Sequence, residues 1–194
     1  MTQQRKNFDR AYKLHAACVL REFRPELAYI GFHGDYAYVN NGQMVVRANI
    51  RQISNFHPED YAKLNGKSVH MDNFRRLLNY AVANVTERGF EVNDQGRRLL
   101  IYFADQETID YNCEIDNIFD RCTTANLVGA HHVGIRASQM RIASAAMGAD
   151  ILRAEFYDGG NGKIYKYLTN PTSPDKIEAI IYEEVIPNSN QDRW

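Results

Sequence analysis

The stretch FYDGGNGKIY, residues 156–165, admits two readings, and they lead to different proteins. A glycine-rich loop can wrap a phosphate, which would make the chain a nucleotide enzyme; the same glycines can turn one strand into the next. The phosphate-loop pattern needs Gly at 157 and Ser or Thr at 164, where the chain has Tyr157 and Ile164. It also needs a helix to follow, whereas KIYKYLT (163–169) has strand character. The stretch therefore reads as a hairpin whose glycines supply positive φ, with Lys163 a strand residue and not a phosphate ligand.

Outward from that turn, one order of elements recurs three times. RASQMRIASAAMG (136–148) predicts a helix, with Met140, Ala143 and Met147 on one face and Gly148 as its stop. Strands follow at DILRAEFY (150–157), at KIYKYLT and, after the loop NPTSPD, at KIEAIIYEEVI (176–186). Earlier, MDNFRRLLNYAVANV (71–85) predicts a helix with Phe74, Leu77, Leu78, Ala81 and Val85 on one face and Asp72 as its N-cap. It is followed by GFEV, the turn NDQG, RRLLIYF and a third strand at TIDYNCEI (108–115). At the start, residues 7–24 show helical spacing of Phe8, Tyr12, His15, Val19 and Phe23, followed by LAYIGF, the turn HGD, YAYVN and QMVVRANI. The last two units open on short extended runs, KSVH and HVGI; QISNFHPEDYAKLNG (52–66) reads as a loop and 116–130 as an irregular connector.

The fold class expected is α+β, three tandem helix-plus-β-strands units with helices packed on one face of antiparallel sheets. The division is 1–115 as a domain of two units, 116–130 as a connector, 131–186 as a third half unit and 187–194 as a polar tail ending in Trp194. The 194 residues suffice for a substantial core, and neither 44% apolar nor 24% charged content departs from a soluble globular chain. No apolar run approaches the ~20 residues of a membrane span, and MTQQRKNFDR lacks the apolar region of a secretory signal. Cys18, Cys113 and Cys122 are odd in number and without CxxC spacing, so a reducing cytoplasm is expected.

A net charge of −1 excludes a generally basic nucleic-acid protein but not a basic face. On a helical wheel of the first segment, Lys6, Arg10, Lys13, Arg21 and Arg24 fall within about 80° of arc opposite the apolar residues. Such a line suits a polyanion, because Lys and Arg bind phosphates by releasing counterions whatever the sequence. Arg75 and Arg76 on the second helix and Arg141 on the third extend the set.

Three stretches together resemble the DNA sliding clamp, the ring-shaped processivity factor of replicative polymerases, and a fourth sits where that family has its closing strand. They are REFRPELAYIGFHGDYAYVNNGQMVV (21–46), GKSVHMDNFRRLLNYA (66–81), VGIRASQMRIASAAMGADILRAEFYDG (133–159) and EAIIYEEVI (178–186). The chain departs from the bacterial pattern Ala-Thr-Asp-Gly-His-Arg at Tyr38–Gln43, and its closing strand lacks the usual Met-Pro end. The resemblance implies helices lining a hole around duplex DNA with sheets outside, a homo-oligomer, and partners such as a DNA polymerase or clamp-loader. If about twelve units close a ring, as in that family, about four such chains are needed. The function expected is a non-enzymatic processivity platform that binds duplex DNA without sequence specificity. The alternatives are a clamp-like interaction module that binds replication proteins without encircling DNA, and an enzyme with an unrecognised site.

No cofactor, metal or catalytic residue is expected. His131 and His132 are adjacent, so on a strand they point to opposite faces. Histidine and cysteine spacings match no zinc pattern, and Asp105, Glu107 and Asp110 suit a solvated loop. Tyr29, Tyr36, Tyr38, Tyr165 and Tyr167 alternate along strands; sheet packing is the ordinary role of such residues and base stacking the sharper one.

Overall fold

The computed structural model describes residues 6–104, 112–128, 135–160 and 163–182. Strands β1 (Tyr29–His33), β2 (Tyr36–Asn40) and β3 (Met44–Asn49) form an antiparallel meander. Two short helices, α1 (Ile50–Ile53) and α2 (Pro58–Leu64), lead to β4 (Ser68–His70) and α3 (Met71–Leu77). A second meander, β5 (Ala83–Thr86), β6 (Gly89–Asp94) and β7 (Arg97–Tyr102), forms a separate three-stranded sheet. Helices α4 (Asn112–Thr124) and α5 (Ala137–Met147) precede the third meander, β8 (Arg153–Gly160), β9 (Lys163–Thr169) and β10 (Ile177–Ile181). The third meander joins the first through β3 and β10, giving one seven-stranded antiparallel sheet in the order β4-β1-β2-β3-β10-β9-β8. The α+β class and the antiparallel sheets are as the sequence predicts.

The opening stretch is a hairpin. Gly160 pairs with Lys163 across the turn at φ +76°, and Asp158 Oδ1 accepts the Gly160 N–H at 2.9 Å, with a bulge between Asp158 and Gly160. At the end of α5, Gly148 is also obligatory. Its φ is +60°, and a Cβ there would stand 2.7 Å from the Ala11 carbonyl oxygen.

Alternation along the strands makes two cores of unequal size. Phe32, Val39, Val46, Ala179 and Leu168 face the main core, shared with α3, α5 and the second sheet. Tyr38, Val45 and Ile180 point the other way and pack under α4 with Ile115, Phe119 and Cys122.

The largest departure from expectation is at the N-terminus. Residues 7–24 are not a helix; among them only Leu14–Ala17 forms a single 3-10 turn. Pairing outside the segment overrides its local periodicity. Lys6 bridges to Val82 beside β5, its N–H donating to Ala81 O and its carbonyl accepting from Ala83 N. Phe8 bridges to Ser54. The fully buried Phe8 ring then lies 5.1 Å from Phe56, 5.1 Å from Phe74, 5.9 Å from Phe32 and 6.1 Å from Phe90, centroid to centroid. A helix starting at residue 7 would withdraw that ring from the place where both sheets and α3 meet.

Other differences have equally local causes. α3 stops at Leu77 instead of running to 85, because Ala83–Thr86 is needed as β5; its N-cap is His70, whose Nδ1 accepts from the Asp72 N–H, and not Asp72. The stretch 52–66 is not all loop: Pro58 occupies the first turn of α2, with Glu59 and Asp60 favourably placed against the helix dipole. The stretch 116–130 is largely α4, which begins at Asn112 and so also replaces the end of the strand expected at 108–115. The run HVGI lies mostly outside the described residues, as does the tail with Trp194.

Phe8→Ala should cost about 3–5 kcal/mol of unfolding free energy in chemical denaturation, the range for emptying a fully buried aromatic site. Phe23→Ala, equal in volume but at a position 90% exposed, should change it by less than about 0.5 kcal/mol.

Candidate nucleic-acid interface

The 3-10 turn Leu14–Ala17 packs against α3 on one side and α5 on the other, making one layer over the sheets. The Lys13 N–H donates to Ala145 O of α5 at 3.2 Å, and the His15 ring lies 6.3 Å from Phe74 of α3. Buried faces of this layer, such as Leu14, Phe74, Ala143 and Met147, belong to the main core. Outward from it stand Arg10, Lys13, Arg75, Arg76 and Arg141, all exposed. Arg141 is one turn before Ala145 on the same row of α5, which brings it toward Lys13. The short residues Ala137, Ser138 and Ala145 leave α5 open to close approach.

The eight cations expected to bind DNA therefore divide. Five gather on the layer, though not along one helix. Arg10 is anchored there: its guanidinium donates to Leu78 O at 2.8 Å and Asn79 O at 2.7 Å, capping the end of α3 as a cation should. Arg75 is held only loosely by Asp72, at 3.8 Å between two exposed side chains. Lys6 is held elsewhere, 3.2 Å from the buried Asp60 carboxylate and 3.3 Å from Asn84 Oδ1. Arg24 Nε donates to Glu26 Oε1 at 2.9 Å. Arg21 lies on the loop beyond the 3-10 turn, near Tyr29 and His70. The single-helix stripe was the wrong geometry, because the segment is pinned in extended form at residues 6–8.

Arg136, exposed at the start of α5, adds a cation that helical periodicity does not single out. His15 lies among the apolar-face positions of the expected helix. Burial holds the His15 pKa below its usual value, and nearby Arg75 and Lys13 lower it further against a smaller opposing effect of Asp72.

On the far side of the seven-stranded sheet lies a second polar cluster. Arg47 bonds Glu178 at 2.6 Å and approaches Asp116 of α4 at 3.6 Å. Its guanidinium stacks 4.1 Å from the Phe119 ring centroid and 5.1 Å from that of Tyr36. Tyr167 donates to Glu178 and Tyr38 to Asp116, and burial together with those carboxylates raises both phenol pKa values. Charges and donors in this cluster pair with one another, which clamps α4 to the sheet beside a cavity of about 320 Å³ lined in part by Tyr36, Arg47, Tyr167 and Glu178. Tyr36, Tyr38, Tyr165 and Tyr167 thus belong to sheet packing.

Among the described residues no group of three or more His, Cys, Asp or Glu side chains is gathered for a metal ion, and no helix is long and apolar enough to cross a membrane. His131, His132, Asp105, Glu107 and Asp110 lie outside the described residues. Comparison with family models, with curated proteins and with solved structures finds no match for this chain.

The Asp60 cluster carries a pH dependence. Burial alone would raise the Asp60 pKa, but a hydrogen bond from Lys63 at 2.9 Å and the Lys6 ammonium 3.2 Å away outweigh it and hold the pKa below its ordinary value. A depressed folded-state pKa stabilises above the unfolded value, near 3.9, and that contribution disappears as pH falls through the folded value. Asp60→Asn should cost about 1–3 kcal/mol at neutral pH and lose less further stability below pH ~4 than the wild type, measured by denaturation across pH.

Proposed function

We propose that this protein is a non-enzymatic, clamp-like DNA-associated protein that binds duplex DNA without reading its sequence. The observation that carries this is the layer formed by the Leu14–Ala17 turn, α3 and α5, whose open side presents Arg10, Lys13, Arg75, Arg76, Arg136 and Arg141 against the carboxylates of Asp9 and Asp72. The phosphate backbone is the polyanion such a surface fits, and counterion release supplies affinity without base contacts.

The arrangement of strands also favours a clamp-like reading. The extended residues before the first meander pair beside β5 of the second unit, through Lys6 and Val82. The strand before the second meander, β4, pairs with β1 of the first unit. Each unit thus lends its leading segment to the other, and the elements between them form the layer of turns and helices. In this reading the sheets face away from DNA, and the chain acts as a homo-oligomeric platform that a polymerase or clamp-loading partner engages.

Fluorescence anisotropy with a duplex of arbitrary sequence tests the reading. Wild-type affinity should fall linearly on a log–log plot against salt. Arg75→Glu, Arg76→Glu and Arg141→Glu together should weaken binding at least about tenfold and flatten the salt slope by about 0.9 for each phosphate the variant no longer neutralises. Arg24→Gln, which alters a cation off the layer, should leave both unchanged. Equal binding by the triple variant and the wild type would reject the assignment of this face.

A further inference from the structure

The loop between the two 3-10 turns carries the most exposed large apolar side chain among the described residues. Phe23 is 90% exposed and Leu20 is 65% exposed. The Arg24 N–H donates to Arg21 O at 3.2 Å, making a turn that throws Phe23 away from the body. Beside it is an open depression of about 380 Å³, formed by Leu20, Pro25, Ala28, Tyr29 and His70, with Arg21 and Glu22 also on its wall. On its wall the Tyr29 and His70 rings meet edge to face at 5.2 Å, where β1 and β4 pair at Tyr29 and His70. A projecting aromatic and a hole able to take it thus sit on one loop.

The same loop is self-complementary in charge. Arg21 and Glu22 are adjacent, exposed and without an ion-pair partner among the described residues. A two-fold interface presents the same patch from both sides, so it requires a patch that complements itself. Turned face to face, two copies would place each Phe23 in the other's depression and each Arg21 opposite the other's Glu22.

We infer that this loop is an isologous self-association site whose occupant is a second copy of the chain. Phe23 is the anchor, the depression at Tyr29 its socket, and Arg21 with Glu22 set the register. Aromatic anchors in preformed pockets dominate such interfaces, with charge pairs at the rim contributing selectivity. The inference does not rest on DNA binding and is tested without DNA.

Sedimentation velocity of the full chain over a concentration series should show reversible dimerisation. Phe23→Ser should weaken it at least about tenfold. Arg21→Glu should also weaken it, by placing like charges together, and adding Glu22→Arg should restore it. Both positions are exposed, so an unchanged thermal melt certifies each variant as folded. A wild-type chain monomeric at every concentration would overturn the proposal and leave the socket to a different protein. A dimer whose strength ignores Phe23→Ser would overturn it as well, as would failure of the paired charge exchange to restore association.

Discussion

Everything in this fold converges on the ring of Phe8 and the amide next to it. Phe8 fills the junction of the seven-stranded sheet, the three-stranded sheet and α3, packed against rings from each. Asn7, 1% exposed, is the polar half of the same wedge. Its Nδ2 donates to Leu77 O at 2.7 Å and Tyr80 O at 3.0 Å, while its Oδ1 accepts the Phe8 N–H at 2.7 Å. These bonds tie the wedge to the turn that follows α3, where Leu77 O also accepts the Tyr80 N–H at 3.2 Å, just before β5 begins. A buried amide with its partners removed costs about 1–3 kcal/mol, and a removed Phe ring more, so the extended N-terminal segment outweighs any helix it could form.

The surface that follows from this wedge is a composite. With residues 6–8 drawn inward, Lys6 goes with them into the Asp60 cluster, and the chain emerges at Arg10 to cap α3. It then makes one tight turn between α3 and α5 before leaving toward Phe23. Cations distant in sequence stand on elements that share one core.

Much of the fold was legible because strands and hairpins are written locally. KIYKYLT and KSVH correspond closely to β9 and β4, and the turns HGD, NDQG and DGGNG all join paired strands. Gly148 marked the end of α5 for the same reason: a left-handed residue tight against Ala11 admits nothing else. What failed was long-range. The spacing of Phe8, Tyr12, His15 and Val19 is helical, yet Phe8 and Tyr12 are buried from an extended segment whose partners lie near 54 and 82. The start signal at Pro58-Glu59-Asp60 was present and went unread within a polar stretch. The candidate interface was half legible: Arg75, Arg76 and Arg141 sit on helices as expected, whereas Lys13 reaches the same face through a turn, and Lys6 and Arg24 are held by carboxylates that no periodicity reveals.

If duplex DNA meets the layer of turns and helices and not the Tyr-rich far side of the sheet, amide shifts during titration with a short duplex should concentrate at residues 10–17, 71–79 and 136–147 and diminish as salt is raised. Shifts concentrated on α4 and the Arg47 cluster, or none at low salt, would place the DNA elsewhere.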